Sequence, residues 1–210
     1  MSGIMNLLGG DLGTSLIEGL SNQTGQTTSK TNNVLEMAMP VLLQAMQRNA
    51  SSPKGAEGLM GALSNKHDGS ILDNLDQIFS GSSANEVEED GGKILGHVFG
   101  NRQQNIQNAL SKQSGVDASS VSKILKIAAP VVMGLMGKQQ RQSSVRDASG
   151  LTNMLGGLIG GNFHNNKQSF IESILDADND GSIVDDVAGA VLGKNNNSLG
   201  GLLGKLFNKK

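Results

Sequence analysis

The 210-residue sequence contains no cysteine, no tryptophan and no tyrosine, and only five phenylalanines and three prolines. Without cysteine there is no disulfide, no thiolate metal site and no cysteine nucleophile, a composition that fits a reducing compartment. Without Trp or Tyr the usual platforms for stacking nucleic-acid bases are missing. An excess of one charge is lacking too. The formal net charge is −2 and the pI about 5.9, so no broad field of Lys and Arg awaits phosphates. Both absences argue against nucleic acid as the partner. The longest uncharged apolar run, IAAPVVMGLMG at 127–137, falls short of the roughly 20 residues that cross a bilayer. The N-terminal MSGIMNLLGGDLG has no basic start of a signal peptide. These features predict a soluble cytoplasmic chain with no transmembrane segment.

Glycine, by contrast, is abundant at 29 residues. The apolar residues are dominated by Leu, Met and Ala, which suit helices, with Met filling irregular gaps. No segment shows strict apolar/polar alternation. The predicted fold class is all-α, a helical bundle built from a tandem duplication of one multi-helix unit.

The duplication is read from a self-match at an offset of 90. Leu20, Ser21, Gln23 and Gly25 fall on Leu110, Ser111, Gln113 and Gly115, and Leu35, Ala38, Pro40, Val41 and Met46 on Leu125, Ala128, Pro130, Val131 and Met136. After a two-residue insertion, Gly58, Leu59 and Leu63 face Gly150, Leu151 and Leu155, and DGSILDNL (68–75) answers DGSIVDDV (180–187). The expected organisation is a first repeat over 1–80, an acidic Gly/Ser linker over 81–92, and a second repeat over 93–193. A polar linker and short amphipathic segment at 194–210 complete it. Asp11 is expected to cap a helix ending near Thr24 with Gly25 as the left-handed stop, and Asn101 and Gly115 to do the same later. The apolar stretches around Pro40 and Pro130 read as bent, buried helices. In GLTNMLGGLIGG, Gly156 with Gly160 and Gly157 with Gly161 share helix faces that admit close packing.

One stretch has a chemical look: DADNDGSIVDDV, 176–187. A calcium loop places oxygen ligands at positions 1, 3 and 5, Gly at 6, a backbone carbonyl at 7 and a carboxylate at 12. Asp176, Asp178, Asp180, Gly181 and Ser182 match, but position 12 is Val187. Asp185 and Asp186 stand at positions 10 and 11; a contracted loop would bring Asp186 to the ion, and the alternative is Asp185, reaching it from the first turn of the exiting helix directly or through water. The expected Ca²⁺ set is therefore Asp176, Asp178, Asp180, Ser182 and Asp186, of low affinity. Five crowded carboxylates repel one another, so a cation would steady the fold there. Against the ion stands the first repeat, with Ser64, Lys66 and Asp68 where the second has the three aspartates. The shared Gly-Ser-Ile-Xaa-Asp part reads as a helix start, with Ser70 or Ser182 as N-cap and Asp73 or Asp185 three residues on.

Other chemistry is sparse. His67, His97 and His164 lack partners at metal-ligand spacing, apart from Asp68 beside His67, and His97 reads as a helix-surface or packed residue. There is no nucleophile elbow, Walker loop or dinucleotide fingerprint. EDGGKIL (89–95) is a poor phosphate loop, and Glu36 and Glu57 read as solvated acids on helical faces. The KILGHVFG segment, the APVVMGLMG helix and the closing DGSIVDD resemble the YidB-like bacterial proteins of unknown function (domain of unknown function 937). That resemblance implies an all-helical fold, with no assigned activity and no catalytic residues to carry over. The functional expectation is a non-enzymatic structural or interaction protein with a protein partner or a second copy of itself. The competing expectations are an enzyme whose site assembles only in three dimensions, and peripheral membrane association through the Gly/Leu-rich segments or the KLFNKK tail.

Overall fold

The computed structural model describes residues 10–81, 83–159 and 174. The chain divides into units 1–177 and 178–210, and every element described here belongs to the first. The elements are helices, as expected: α1 (Asp11–Thr24), α2 (Thr28–Ala50) and α3 (Pro53–Asn65). A 3-10 turn (Ser70–Asn74) leads into the short α4 (Leu75–Phe79). Next come α5 (Ala84–Phe99), a 3-10 turn (Gly100–Arg102), α6 (Gln103–Ser114), α7 (Ala118–Gln142) and α8 (Ala148–Ile159). No strand occurs among the described residues.

Local chemistry repeats at the offset found in the sequence. α1 and α6 both stop at a left-handed glycine, Gly25 (φ 65°) and Gly115 (φ 67°), whose N–H groups donate to the Ser21 and Ser111 carbonyls. Two residues on, Thr27 and Asp117 cap the next helices, their side chains accepting from the Lys30 and Ser120 N–H groups. Pro40 and Pro130 lie inside the two long helices, both buried. At the helix starts the structure departs from expectation. Gly10 is the N-cap of α1 and Asp11 its first residue, where a carboxylate gains from the helix dipole without capping. Asn101 lies in the 3-10 turn ahead of α6.

The two long helices, α2 and α7, form the centre. Val34, Leu35, Leu43 and Met46 on one, and Val121, Ile124, Ile127 and Met136 on the other, are at most 1 % exposed. Each such side chain contributes about 1.5–3 kcal/mol of burial. The outer helices cross over: α1 and α6 each pack on both long helices, and α8 packs on α2 and α3. Gly156 of α8 faces α2, where a Cβ would stand 3.4 Å from the Gln47 amide nitrogen; Gly160 and Gly161 lie outside the described residues.

α7 also revises the expectation about membrane spans. By length and composition it is apolar enough to cross a bilayer, with a mean hydropathy of 1.4 over an 18-residue window, but 78 % of that window is buried inside the bundle. The helix is longer than the uncharged run because Lys123 and Lys126 are built into it, Lys123 donating to the Gln23 carbonyl (3.1 Å) and Lys126 pairing with Glu88 (3.2 Å).

The segment read as a linker is helical from Ala84 onward. Tertiary pairing explains the difference: Glu88 meets Lys126 and Asp90 meets Lys66, while Gly91 presses directly on the α7 backbone. The acids of the expected linker are held by distant lysines in the fold.

Candidate functional site

A cleft lies between α3 and α5, with the C-terminal end of α2 and Met133 of α7 beneath it. Its first wall starts from a compact turn. Ser52 caps α3 by accepting from the Gly55 N–H (3.1 Å), and Pro53 takes the first helical position, where its missing N–H costs nothing. Gly55 is required by contact, since a Cβ there would stand 1.8 Å from the Asn49 carbonyl oxygen. Asn49 in turn ties α2 to the end of α5, its side-chain amide donating to the carbonyls of His97 (3.2 Å) and Val98 (3.3 Å).

The cleft encloses about 940 Å³. Its floor is apolar: Met46, Met133, Ile94 and Val98, none more than 8 % exposed. Leu59 and Ala62 continue the apolar wall along α3, and Gly58 leaves a gap in it, with no atom within 4 Å of the position its Cβ would take. Its charged groups are Arg48, Lys54, Lys66 and Lys93 against the single carboxylate of Asp90. The side chains of Lys66 and Lys93 are 61 % and 63 % exposed, so these cations stand at the rim.

Three of the charged groups are coupled. Asp90 accepts from the Lys66 ammonium through Oδ1, and its Oδ2 lies 3.7 Å from Nε2 of His67. The His67 side chain is only 7 % exposed. Burial holds its imidazole below the ordinary histidine value, Asp90 opposes that shift, and the Lys66 charge adds to it. The neutral form is therefore favoured. Lys93 pairs with Glu89 one turn back (2.7 Å), an interaction that raises the lysine and lowers the carboxylate. Lys54, at the start of α3, has no carboxylate partner among the described residues.

The expected calcium ligands Asp176, Asp178, Asp180, Ser182 and Asp186 lie outside the described residues, as does His164. Among the described residues no group of three or more His, Cys, Asp or Glu could hold a metal. In the first repeat, Lys66 stands where Asp178 stands in the second and forms the ion pair just given. Asp68 accepts from the Ser70 N–H (3.1 Å) and meets Arg141 (3.2 Å). The helix-start expectation needs correcting here. Gly69 (φ 102°) is the N-cap of the 3-10 turn, with no side-chain cap, and Ser70 is the turn's first residue, its N–H donating to Asp68 in an Asx turn. His97 is exposed on α5, and EDGGKIL is helical. Glu57 is exposed, whereas Glu36 is partly buried and accepts from Asn32 (2.9 Å).

Comparison with known families places this fold. The model of a family of bacterial proteins of unknown function, DUF937, matches residues 6–139. The chain belongs to that family. No curated protein and no solved structure matches it. The segment shared with DUF937 contains every residue of the cleft, Met46 to Met133, and ends before the acidic stretch at 176–187.

Proposed function

We propose that this DUF937 chain is a non-enzymatic binding protein, a tandem duplication of one helical unit whose working surface is the cleft between α3 and α5. The observation that supports this reading is the cleft's layout, an apolar floor inside a cationic rim. Small-molecule sites have this form: mostly apolar, concave, with a few polar groups that orient the ligand. The titratable groups are engaged with one another, as in the Lys66–Asp90 and Lys93–Glu89 pairs. The matched left-handed stops, caps and interior prolines support the duplication.

The decisive measurement is a fluorescence titration with the neutral apolar dye Nile red. Gly58→Leu fills the gap in the wall, and Gly61→Leu adds the same side chain to the same helix at a position outside the cleft, also open around its Cβ. The expected result is saturable binding lost in Gly58→Leu and kept in Gly61→Leu. Equal behaviour of the two variants overturns the reading.

A second reading is supported by the complete Asp176-x-Asp178-x-Asp180-Gly181 spacing. We propose Ca²⁺ binding of low affinity there, with Asp176, Asp178 and Asp180 as side-chain ligands, Ser182 through its carbonyl, and Asp186 in place of the missing twelfth-position carboxylate.

A further inference from the structure

We infer that the cleft takes an amphiphile with a single aliphatic chain and an anionic head, the chain along the apolar α3 wall and the head at Lys54. This rests on the reading of the cleft as a binding site and names its ligand class.

Three features converge. The first is the gradient of polarity with depth. Leu59 and Ala62 line the cleft half-buried, whereas the side chains of Lys66 and Lys93 are more than half exposed. A ligand that satisfies both levels is apolar at one end and charged at the other.

The second is the sign of the charge. Four cations and one carboxylate line the cleft; Lys66 takes that carboxylate and Lys93 is paired with Glu89, so among the described residues Lys54 carries the charge left for a ligand. Lys54 stands in the first turn of α3, a 13-residue helix with its N-terminus at the cleft. There the helix dipole adds partial positive charge to the ammonium. A carboxylate or phosphate head is attracted to this corner, and a cationic head is repelled.

The third is size. About 940 Å³ is at the upper end of the roughly 300–1,000 Å³ of small-molecule sites. That volume accommodates one chain and its head. The shared chemistry, an acyl chain with an anionic head, could come from a free fatty acid or from a lysophospholipid.

The test is displacement of Nile red from the full-length protein by dodecanoate, dodecyl phosphate and dodecanol, each below its micelle concentration. Both anions are expected to displace the dye, with dodecanol at least about tenfold weaker. Lys54→Glu should weaken the anions about three- to tenfold while leaving the dodecanol affinity unchanged and not lowering the thermal midpoint, because an acid in the first turn suits the helix dipole. Stronger competition by dodecyl phosphate points to a lysophospholipid source, and by dodecanoate to a free acid. If dodecanol competes as well as the anions, or Lys54→Glu alters all three alike, the anionic class is overturned while the cleft stands. If Gly58→Leu and Gly61→Leu bind the dye alike, the cleft itself falls, and the ligand class with it.

Discussion

The α-carbon of Gly91 rests against the carbonyl of Lys126, so closely that a Cβ on Gly91 would stand 1.6 Å from that oxygen. Lys126 is four residues before Pro130, whose ring nitrogen carries no hydrogen, so this carbonyl lacks its usual helical donor. α5 fits into the space the proline leaves, and a Cα–H group can face the exposed oxygen. The interior proline therefore marks where a neighbouring helix approaches closest. Gly91→Ala should destabilise the protein by about 1–3 kcal/mol through overpacking. Gly96→Ala, on the same helix with nothing near its Cβ, should instead stabilise it by about 0.5–1 kcal/mol through helix propensity. Urea denaturation of the two variants gives the opposite signs directly; two shifts of the same sign would refute the close-packing account.

Acidification should weaken the fold through His67. An unfolded chain protonates this histidine near pH 6.5, but burial holds the folded-state value lower, with the Lys66 charge adding to the effect and Asp90 opposing it. Below about pH 6.5 the unfolded state then binds more protons than the native state, so stability is full above that pH and falls as the pH drops. Thermal midpoints measured from pH 7.5 to 5.5 should decline in the parent protein and decline less in His67→Gln. Parallel slopes would mean that His67 contributes nothing to the pH dependence.

Asp117 is expected to matter as a charged cap. Its carboxylate accepts from the Ser119 hydroxyl (2.6 Å) and the Ser120 N–H (2.9 Å), and these bonds hold its acidity well below the ordinary carboxylate range. That contribution is present above the unfolded-state value near 3.8 and is lost as pH falls through the depressed folded value. Asp117→Ala should lower the thermal midpoint at neutral pH, and Asp117→Asn, which keeps an acceptor, should lower it less. An unchanged midpoint in Asp117→Ala would show that the cap is not needed to start α7.

Calcium should raise the thermal midpoint if the acidic stretch is a metal loop. Unfolding in EDTA, Mg²⁺ and Ca²⁺ is compared with the same series on Asp176→Asn/Asp178→Asn, where the calcium increment should disappear. Equal midpoints in all three solutions for the parent protein would exclude the loop as a calcium site.

Much of the fold was legible in the chain because local rules governed it. Gly25 and Gly115 stop helices since only a left-handed residue closes them there, and the apolar faces around Pro40 and Pro130 had no surface role to fill. The helix starts were less legible, because glycine can take the N-cap position without a side-chain signal; Gly10 and Gly69 stand where Asp11 and Ser70 were expected to cap. The acidic segment at 81–92 misled for a different reason. Its glycines, serines and acids read as a linker, and only Lys126 and Lys66, far away in sequence, give Glu88 and Asp90 their partners.

The cleft left almost no trace in the sequence. Its floor takes Met46 from one long helix and Met133 from the other, and its rim takes Lys54 and Lys66 from the two ends of α3 and Lys93 from α5. None of these residues forms a motif with its chain neighbours. The sequence by itself determined the helical class, the glycine stops and the apolar faces of α2 and α7, all products of backbone conformation and short-range periodicity. Only the tertiary structure decided which helices cross and which charges pair, and so where a cavity remains. Those outcomes depend on contacts between distant residues, and the close approach that Gly91 allows to the Lys126 carbonyl is one of them.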